Sequence, residues 1–237
     1  MRRVLCFTSL VRLAFALATA ASIGCATQKS WSYRAESISS SPILVNKSVS
    51  VPPFMDTRQN ENQNMFGMYM IPLMPYGWMS YKTPEGAQMH MTSGLWMWRP
   101  NEDIAKAAAE EMNSSHVFKE VFFSHRASEG ELVLHGTIKS TDFEGKLFSY
   151  GLSIYGPALW FIGFPSTSAN NELEISLSLR DPATNAILWE RSYRRADGNL
   201  SWLYVMKSDF LYPDLLKEIL MEAVRDIRSE APGFKVQ

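Results

Sequence analysis

Cysteine is almost missing from this 237-residue chain: the two present, Cys6 and Cys25, both lie within the first 25 residues. The rest of the chain can therefore carry neither a disulfide framework nor a thiolate metal site. No charge of one sign predominates either, with 23 Lys and Arg against 24 Asp and Glu, so no net field draws the chain to nucleic acid. Histidine is sparse, and His90, His116, His125 and His135 are scattered without ligand spacing. Also missing are a Gly-x-Ser-x-Gly elbow, a Gly-rich phosphate cradle and a His-Glu-x-x-His pair, so the chain is expected to be non-enzymatic and free of cofactor. What is present is 46% apolar and 12% aromatic, enough to bury a core and exclude global disorder. At this length one domain is expected.

The N-terminus carries an address. Arg2 and Arg3 form a basic head, and an apolar stretch through Leu13-Ala14-Phe15-Ala16-Leu17-Ala18 follows, interrupted upstream by Arg12. That is the layout of a secretory signal, too short to need a transmembrane reading. The segment closes on Ser22-Ile23-Gly24-Cys25, which resembles the lipobox of bacterial lipoproteins at Gly24 and Cys25, with Ser22 where that family prefers Leu. The resemblance implies cleavage before Cys25 and lipid on its thiol, and Ala26 after it resembles an outer-membrane address. An ordinary cut near Ala20 is the alternative, leaving a lone thiol exposed in an oxidising compartment. The expected division is a signal over residues 1–24, a flexible Ser-rich tether over 25–42, and one periplasmic α+β domain over 43–237.

Within that domain, Lys47–Val51 alternates with the period of a half-buried strand, ended by Pro52 and Pro53. Pro100-Asn101-Glu102-Asp103 opens a helix with acids in its first turn, and Ile104, Ala107, Ala108 and Met112 follow at helical spacing. Val117–Phe123 reads as a short strand and Leu132–Ile138 as a longer one. The clearest strand joins Leu173, Ile175, Leu177 and Leu179, and Asp181–Asn185 turns it into Ile187–Tyr193 as a hairpin. A last helix runs from about Pro213 to Arg228, with Leu216, Ile219, Leu220, Ala223, Val224 and Ile227 as its stripe. The expected fold is α+β, a mixed sheet of about four to five strands with two packed helices and an irregular Met- and aromatic-rich insertion over 55–99.

Two short stretches carry a further resemblance. Val49-Ser50-Val51-Pro52-Pro53-Phe54-Met55-Asp56-Thr57-Arg58 and Leu132-Val133-Leu134-His135-Gly136 resemble, in order and spacing over about residues 47–195, outer-membrane lipoproteins with a TolB-N-terminal-like domain. That group includes penicillin-binding-protein activators and the curli-secretion channel lipoprotein. The resemblance implies the fold; the long 55–99 insertion departs from the group's pattern.

Two segments stand out chemically. Nine of the thirteen methionines lie between Met55 and Met97, including Met68-Tyr69-Met70 and Met89-His90-Met91. Thioethers with a histidine suit Cu(I), but methionine also fills irregular gaps and adaptable contact surfaces, and no metal site is assigned. Residues 147–171 contain no charged side chain, and Gly151, Gly156, Pro157 and Gly163 argue against one regular spanning helix. A buried crossover, an interfacial loop touching lipid, and a hairpin of an oligomeric barrel all remain open. The two apolar segments, 65–79 and 147–164, are expected to pack on one side of the fold, with Trp78 and Trp160 sharing a face. Met74, Tyr76, Trp78, Tyr155, Trp160 and Phe161 are assigned to membrane or partner contact. Asp56 and Arg58 are expected to fix a turn, and Glu172, Glu174, Arg191, Arg194 and Arg195 to lie on a solvated sheet.

The function expected is that of a lipid-anchored outer-membrane protein on the periplasmic side, binding or scaffolding an envelope protein partner in assembly or transport. The rivals are a homo-oligomeric pore or secretion component using 147–171, and a periplasmic Cu(I)-binding protein.

Overall fold

A computed structural model describes residues 31–35, 42–87 and 98–234. Its strands are β1 (Val45–Val51), β2 (Met55–Asp56), β3 (Asn62–Met65), β4 (Tyr76–Tyr81), β5 (Phe118–Phe123), β6 (Leu132–Ser140), β7 (Phe143–Phe148), β8 (Pro165–Asp181) and β9 (Ala186–Trp202). Its helices are α1 (Pro100–Ser114), α2 (Pro157–Phe161) and α3 (Tyr212–Glu230). The broad α+β class holds, but among the described residues nine strands and three α-helices replace the expected four to five strands and two helices.

The anchor of the sheet is β8. Leu173, Ile175, Leu177 and Leu179 are all fully buried on one face, while Glu174 and Ser176 between them face water. Seventeen residues long, β8 pairs antiparallel with β9 along one edge. Its other edge is shared: the first half pairs with β7 and the second with β6. Beyond β6 come β1 and β5, both joined in parallel; beyond β7 come β4 and β3, both antiparallel. The chain thus has a body, β5-β1-β6-β8-β9, and an extension, β7-β4-β3, hinged on one long strand.

Helices α1 and α3 cover one face of the body. Proline at the start of α1 costs no hydrogen bond there, and the Asp103 carboxylate accepts the Arg99 N–H at 2.9 Å. Its Ile104, Ala105 and Ala108 are fully buried, the alanines letting the helix approach closely. Leu216, Ile219, Leu220, Ala223 and Ile227 of α3 are likewise fully buried against the sheet. The five leucine-sized side chains of this layer, Ile104, Leu216, Ile219, Leu220 and Ile227, stabilise it by about 1.5–3 kcal/mol each before entropy is counted.

The two stretches that carry the family resemblance meet in space. Val49 of β1 pairs with Leu132 of β6, and the Phe54 ring lies over Gly136, where an added Cβ would come within 2.3 Å of the ring. Trp31, Tyr33 and Ala35, within the segment read as a tether, lie on the helix layer. The Tyr33 hydroxyl donates to Glu111 at 2.8 Å and the Ala35 N–H to Glu110 at 3.1 Å.

The missing strands explain themselves. β2 is two residues long and β3 (Asn62-Gln63-Asn64-Met65) is a polar edge, so neither shows apolar alternation. β4 reads Tyr-Gly-Trp-Met-Ser-Tyr, apolar on both faces, which erases the period. In β7, Phe143, Gly145 and Leu147 form the inner set, and the central glycine breaks the pattern. The insertion is therefore built into the sheet through β2, β3 and β4.

Candidate functional site

Three connections at the end of the sheet where β8 starts interlock. Residues 66–75 link β3 to β4, residues 149–164 link β7 to β8, and residues 203–206 follow β9. The Leu73 N–H donates to the Gly151 carbonyl at 2.9 Å, and the Ser149 and Tyr150 N–H groups both donate to Pro75, at 2.9 and 2.8 Å. Hydroxyls add to this: Ser149 donates to the Met74 carbonyl and Ser153 to the Met70 carbonyl, each at 2.5 Å. Tyr204 donates to the Phe161 carbonyl at 3.2 Å, tying in the third connection. Backbone polarity is thus spent inward.

Side chains do the opposite. Leu73 is 88% exposed and Met206 82%, and Ile71, Ile154, Tyr155, Phe161, Ile162 and Val205 are exposed beside them. No charged residue occurs between Glu61 and Lys82, between Lys146 and Glu172, or between Asp197 and Lys207. All three connections fall in those uncharged windows. An apolar surface gathered at one end, unmatched by any charge, is the candidate interaction site of the described residues. The backbone here is held under strain as well: Leu73, Tyr150 and Ser153 have φ of 70°, 56° and 53°, where side-chain-bearing residues are rare. Strain of this kind, about 1–3 kcal/mol per residue, persists only where surrounding contacts over-determine it.

Segments 65–79 and 147–164 touch, but Trp78 and Trp160 lie on opposite faces of the sheet, so the expectation that both segments occupy one side of the fold fails. Tyr69 sits over Gly77, where an added Cβ would meet Tyr69 Cβ at 3.0 Å, and Trp160 contacts Tyr69 with ring centroids 6.4 Å apart. That is the face of the buried Met79 and Tyr81; Trp78, one position along β4 from Gly77, points to the other. Two segments can touch while the pleat sends neighbouring side chains to opposite faces.

Tyr155 and Phe161 are exposed at the apolar end, and Met74 lies at its junction with β4. Trp160 is half-buried, its indole N–H donating to the Phe148 carbonyl at 3.0 Å. Tyr76 and Trp78 line a groove of about 510 Å³ on the wet face with Gln63, Ser80, Glu144 and Lys146. The Lys146 ammonium lies 5.3 Å from the Tyr76 ring centre, a cation–π distance. Burial raises the hydroxyl pKa of Tyr69 and of Tyr150, so both stay neutral. The connection at 203–206 was not singled out from sequence: its uncharged window is short and reads as more of β9.

A second cleft, of about 370 Å³, is polar, and every charged side chain lining it is paired within the fold. Lys82 pairs with Asp142, Arg194 with Glu172 at 2.7 Å, and Lys139 with Glu174 at 3.9 Å. Arg58 forks between Asp56 at 2.6 Å and Glu85 at 2.5 Å and donates to the Thr141 hydroxyl at 2.5 Å. Burial opposes its charge, yet the bonds to Asp56 and Glu85 hold its pKa above the ordinary value. Hydrogen bonding from Arg58 in turn lowers the Asp56 pKa, against the effect of burial. With carboxylates and cations mutually satisfied, this cleft reads as a structural clasp and offers no free acid or base.

Residues 1–30, including Cys25, and the Met89-His90-Met91 group lie outside the described residues. Among the described residues, no group of three or more His, Cys, Asp or Glu is placed to hold a metal ion. No described helix is long and apolar enough to cross a membrane.

No family model matches the chain, and no curated protein matches it. Among solved structures, a Xanthomonas campestris protein of the DUF330 family is similar over 85% of this chain and 94% of its own, at 11% identity and a TM-score of 0.46. A PelC dodecamer from Paraburkholderia phytofirmans is similar over 85% of this chain and 93% of its own, at 9% identity and a TM-score of 0.32. Likenesses this loose carry no weight on function.

Proposed function

We propose that this chain is a lipid-anchored envelope protein, attached to the outer membrane through Cys25. Its α+β domain binds or scaffolds an envelope assembly or transport system and performs no chemistry of its own. The reading rests on one observation: three uncharged connections meet at one end of the domain and turn their apolar side chains outward. A surface of that kind in a water-filled compartment is stable when something covers it.

The test asks whether that end is covered in the cell. Leu73→Cys is introduced into the full chain and probed with a polar maleimide, in permeabilised cells and, as the uncovered reference, on the purified protein unfolded in urea. Labelling that is fast on the purified protein and suppressed in the envelope supports docking. Equal labelling in both settings refutes it.

A further inference from the structure

We infer that the apolar end seats in the hydrocarbon boundary of a lipid bilayer, so that the domain touches the membrane independently of its lipid anchor. The inference deepens the docking reading above and rests on it, naming a lipid surface as the occupant.

Four observations favour lipid over a protein partner. First, the outward side chains are aliphatic, thioether or phenyl apart from Tyr155 and Tyr204, and the Tyr204 hydroxyl is already bonded to Phe161. A protein interface of useful size carries about one hydrogen bond per 100–200 Å², for which this surface supplies few groups. Second, part of the irregular backbone is satisfied within the end itself, through the Leu73–Gly151, Ser149–Pro75 and Tyr150–Pro75 bonds. Each N–H so bonded enters an apolar phase without the cost of an unmade hydrogen bond. Third, the charges that bound the three uncharged windows include Lys82, Lys146 and Lys207, alongside Glu61, Glu172 and Asp197. Tyr76 and Trp78 stand beside Lys146. Aromatics with a polar edge and lysines that reach toward headgroups are the side chains favoured at a membrane boundary.

The fourth observation is where the chain enters the fold. Trp31 stacks on Trp98 at 5.7 Å and meets Phe210 edge-on at 6.4 Å, and Phe210 follows Met206 by four positions. Six peptide steps from Cys25 to Trp31 span at most about 20 Å, so an acyl group on Cys25 would hold this flank close to the bilayer. Anchor and apolar end then act as two linked contacts, and the second raises the residence of the whole.

The experiment uses the full lipidated protein with single added cysteines, Leu73→Cys, Ile162→Cys and, at the far end of the β8–β9 hairpin, Ala183→Cys. Each carries an environment-sensitive nitrobenzoxadiazole label, and protein without an added cysteine supplies the background. The proteins are reconstituted in phosphatidylethanolamine–phosphatidylglycerol vesicles with or without acyl-chain spin labels. Emission at 73 and 162 is expected to rise several-fold, shift to the blue and be quenched by the acyl spin labels, while 183 stays as in water. Water-like emission at 73 and 162, on protein that still floats with vesicles, overturns the lipid contact. Self-quenching between labels at 73 without any spin label points to a second copy and overturns it too. Both of those results leave the docking reading intact; that reading fails only if the cellular maleimide test shows an uncovered end.

Discussion

Replacing Arg58 by Met removes the pin between the extension and the body. The Arg58 side chain is 2% exposed, and its guanidinium bonds both oxygens of Asp56, both oxygens of Glu85, and the Thr141 hydroxyl. Thr141 in turn donates to the Lys82 carbonyl, and its own carbonyl accepts the Tyr212 hydroxyl of α3 at 2.9 Å. One side chain therefore joins the turn after β4, the β6–β7 corner and, through Thr141, the last helix. Breaking a buried ion pair from one side costs about 3–5 kcal/mol, because a carboxylate is left without its partner. Asp56 and Glu85 are 41% and 21% exposed, so water re-solvates them in part and the lower figure, about 3 kcal/mol, is expected. At about 2–4 °C per kcal/mol for a chain of this size, Tm should fall by about 6–12 °C at pH 7. The acid limb supplies the sign. Asp56 has a lowered pKa in the folded protein, so its contribution is present above its unfolded value near 3.8 and is lost as pH falls through the folded one. The variant lacks that contribution, and the difference in Tm between the two proteins should narrow on acidification from pH 7 to pH 3. Circular dichroism melts at both pH values measure it. An Arg58→Met protein that melts like wild type at pH 7, or a difference that does not shrink at pH 3, would refute the reasoning.

Three other perturbations are informative. Cys25→Ser should abolish membrane retention and leave a soluble or unprocessed chain; membrane association at unchanged mass would count against lipidation. Leu220→Asp forces an unpaired carboxylate into the interface between α3 and the sheet, where Leu220 is fully buried, and should cost several kcal/mol in a denaturant titration. A midpoint equal to wild type would show that helix to be peripheral. Gly77→Ala places a Cβ 2.4 Å from the Phe66 carbonyl oxygen and should push the 66–70 turn off β4 at a cost of about 1–3 kcal/mol. Because Tyr69 packs on Trp160, its tryptophan emission should also move to the red, and unchanged emission with unchanged stability would break that link.

The body of the fold was legible because its burial is one-sided. Leu173 to Leu179 alternate with polar residues, and the α3 stripe repeats at helical spacing, so period alone reports which side faces the helices. The extension was not legible because its strands violate that condition: β3 buries almost nothing, and β4 presents Tyr76 and Trp78 on one face with Met79 and Tyr81 on the other. The short α2 lies within an apolar run and has no polar face to betray its period. For the site, composition located two of the three connections, since the lack of charge over 147–171 and the methionines around 65–79 need no knowledge of pairing. It could not place Trp78 and Trp160, because a face is a property of register. The hydrogen bonds of Leu73, Ser149 and Tyr150 are long-range pairings that leave no mark in the local sequence.

The seventeen residues of β8 have a consequence for distance. At about 3.3 Å per residue a strand of that length is a strut on the order of 50 Å long, and β9 doubles it along its whole course. The apolar connections are at its start and the Asp181–Ala186 turn is at its finish. A domain standing on its apolar end would therefore carry that turn, with its polar Thr184 and Asn185, on the order of 50 Å into the compartment beyond the membrane. The same strand would make a spacer as well as a core: shortening β8 and β9 together by two residues, one pleat repeat, would lower the far turn by about 7 Å and keep every side chain on its face.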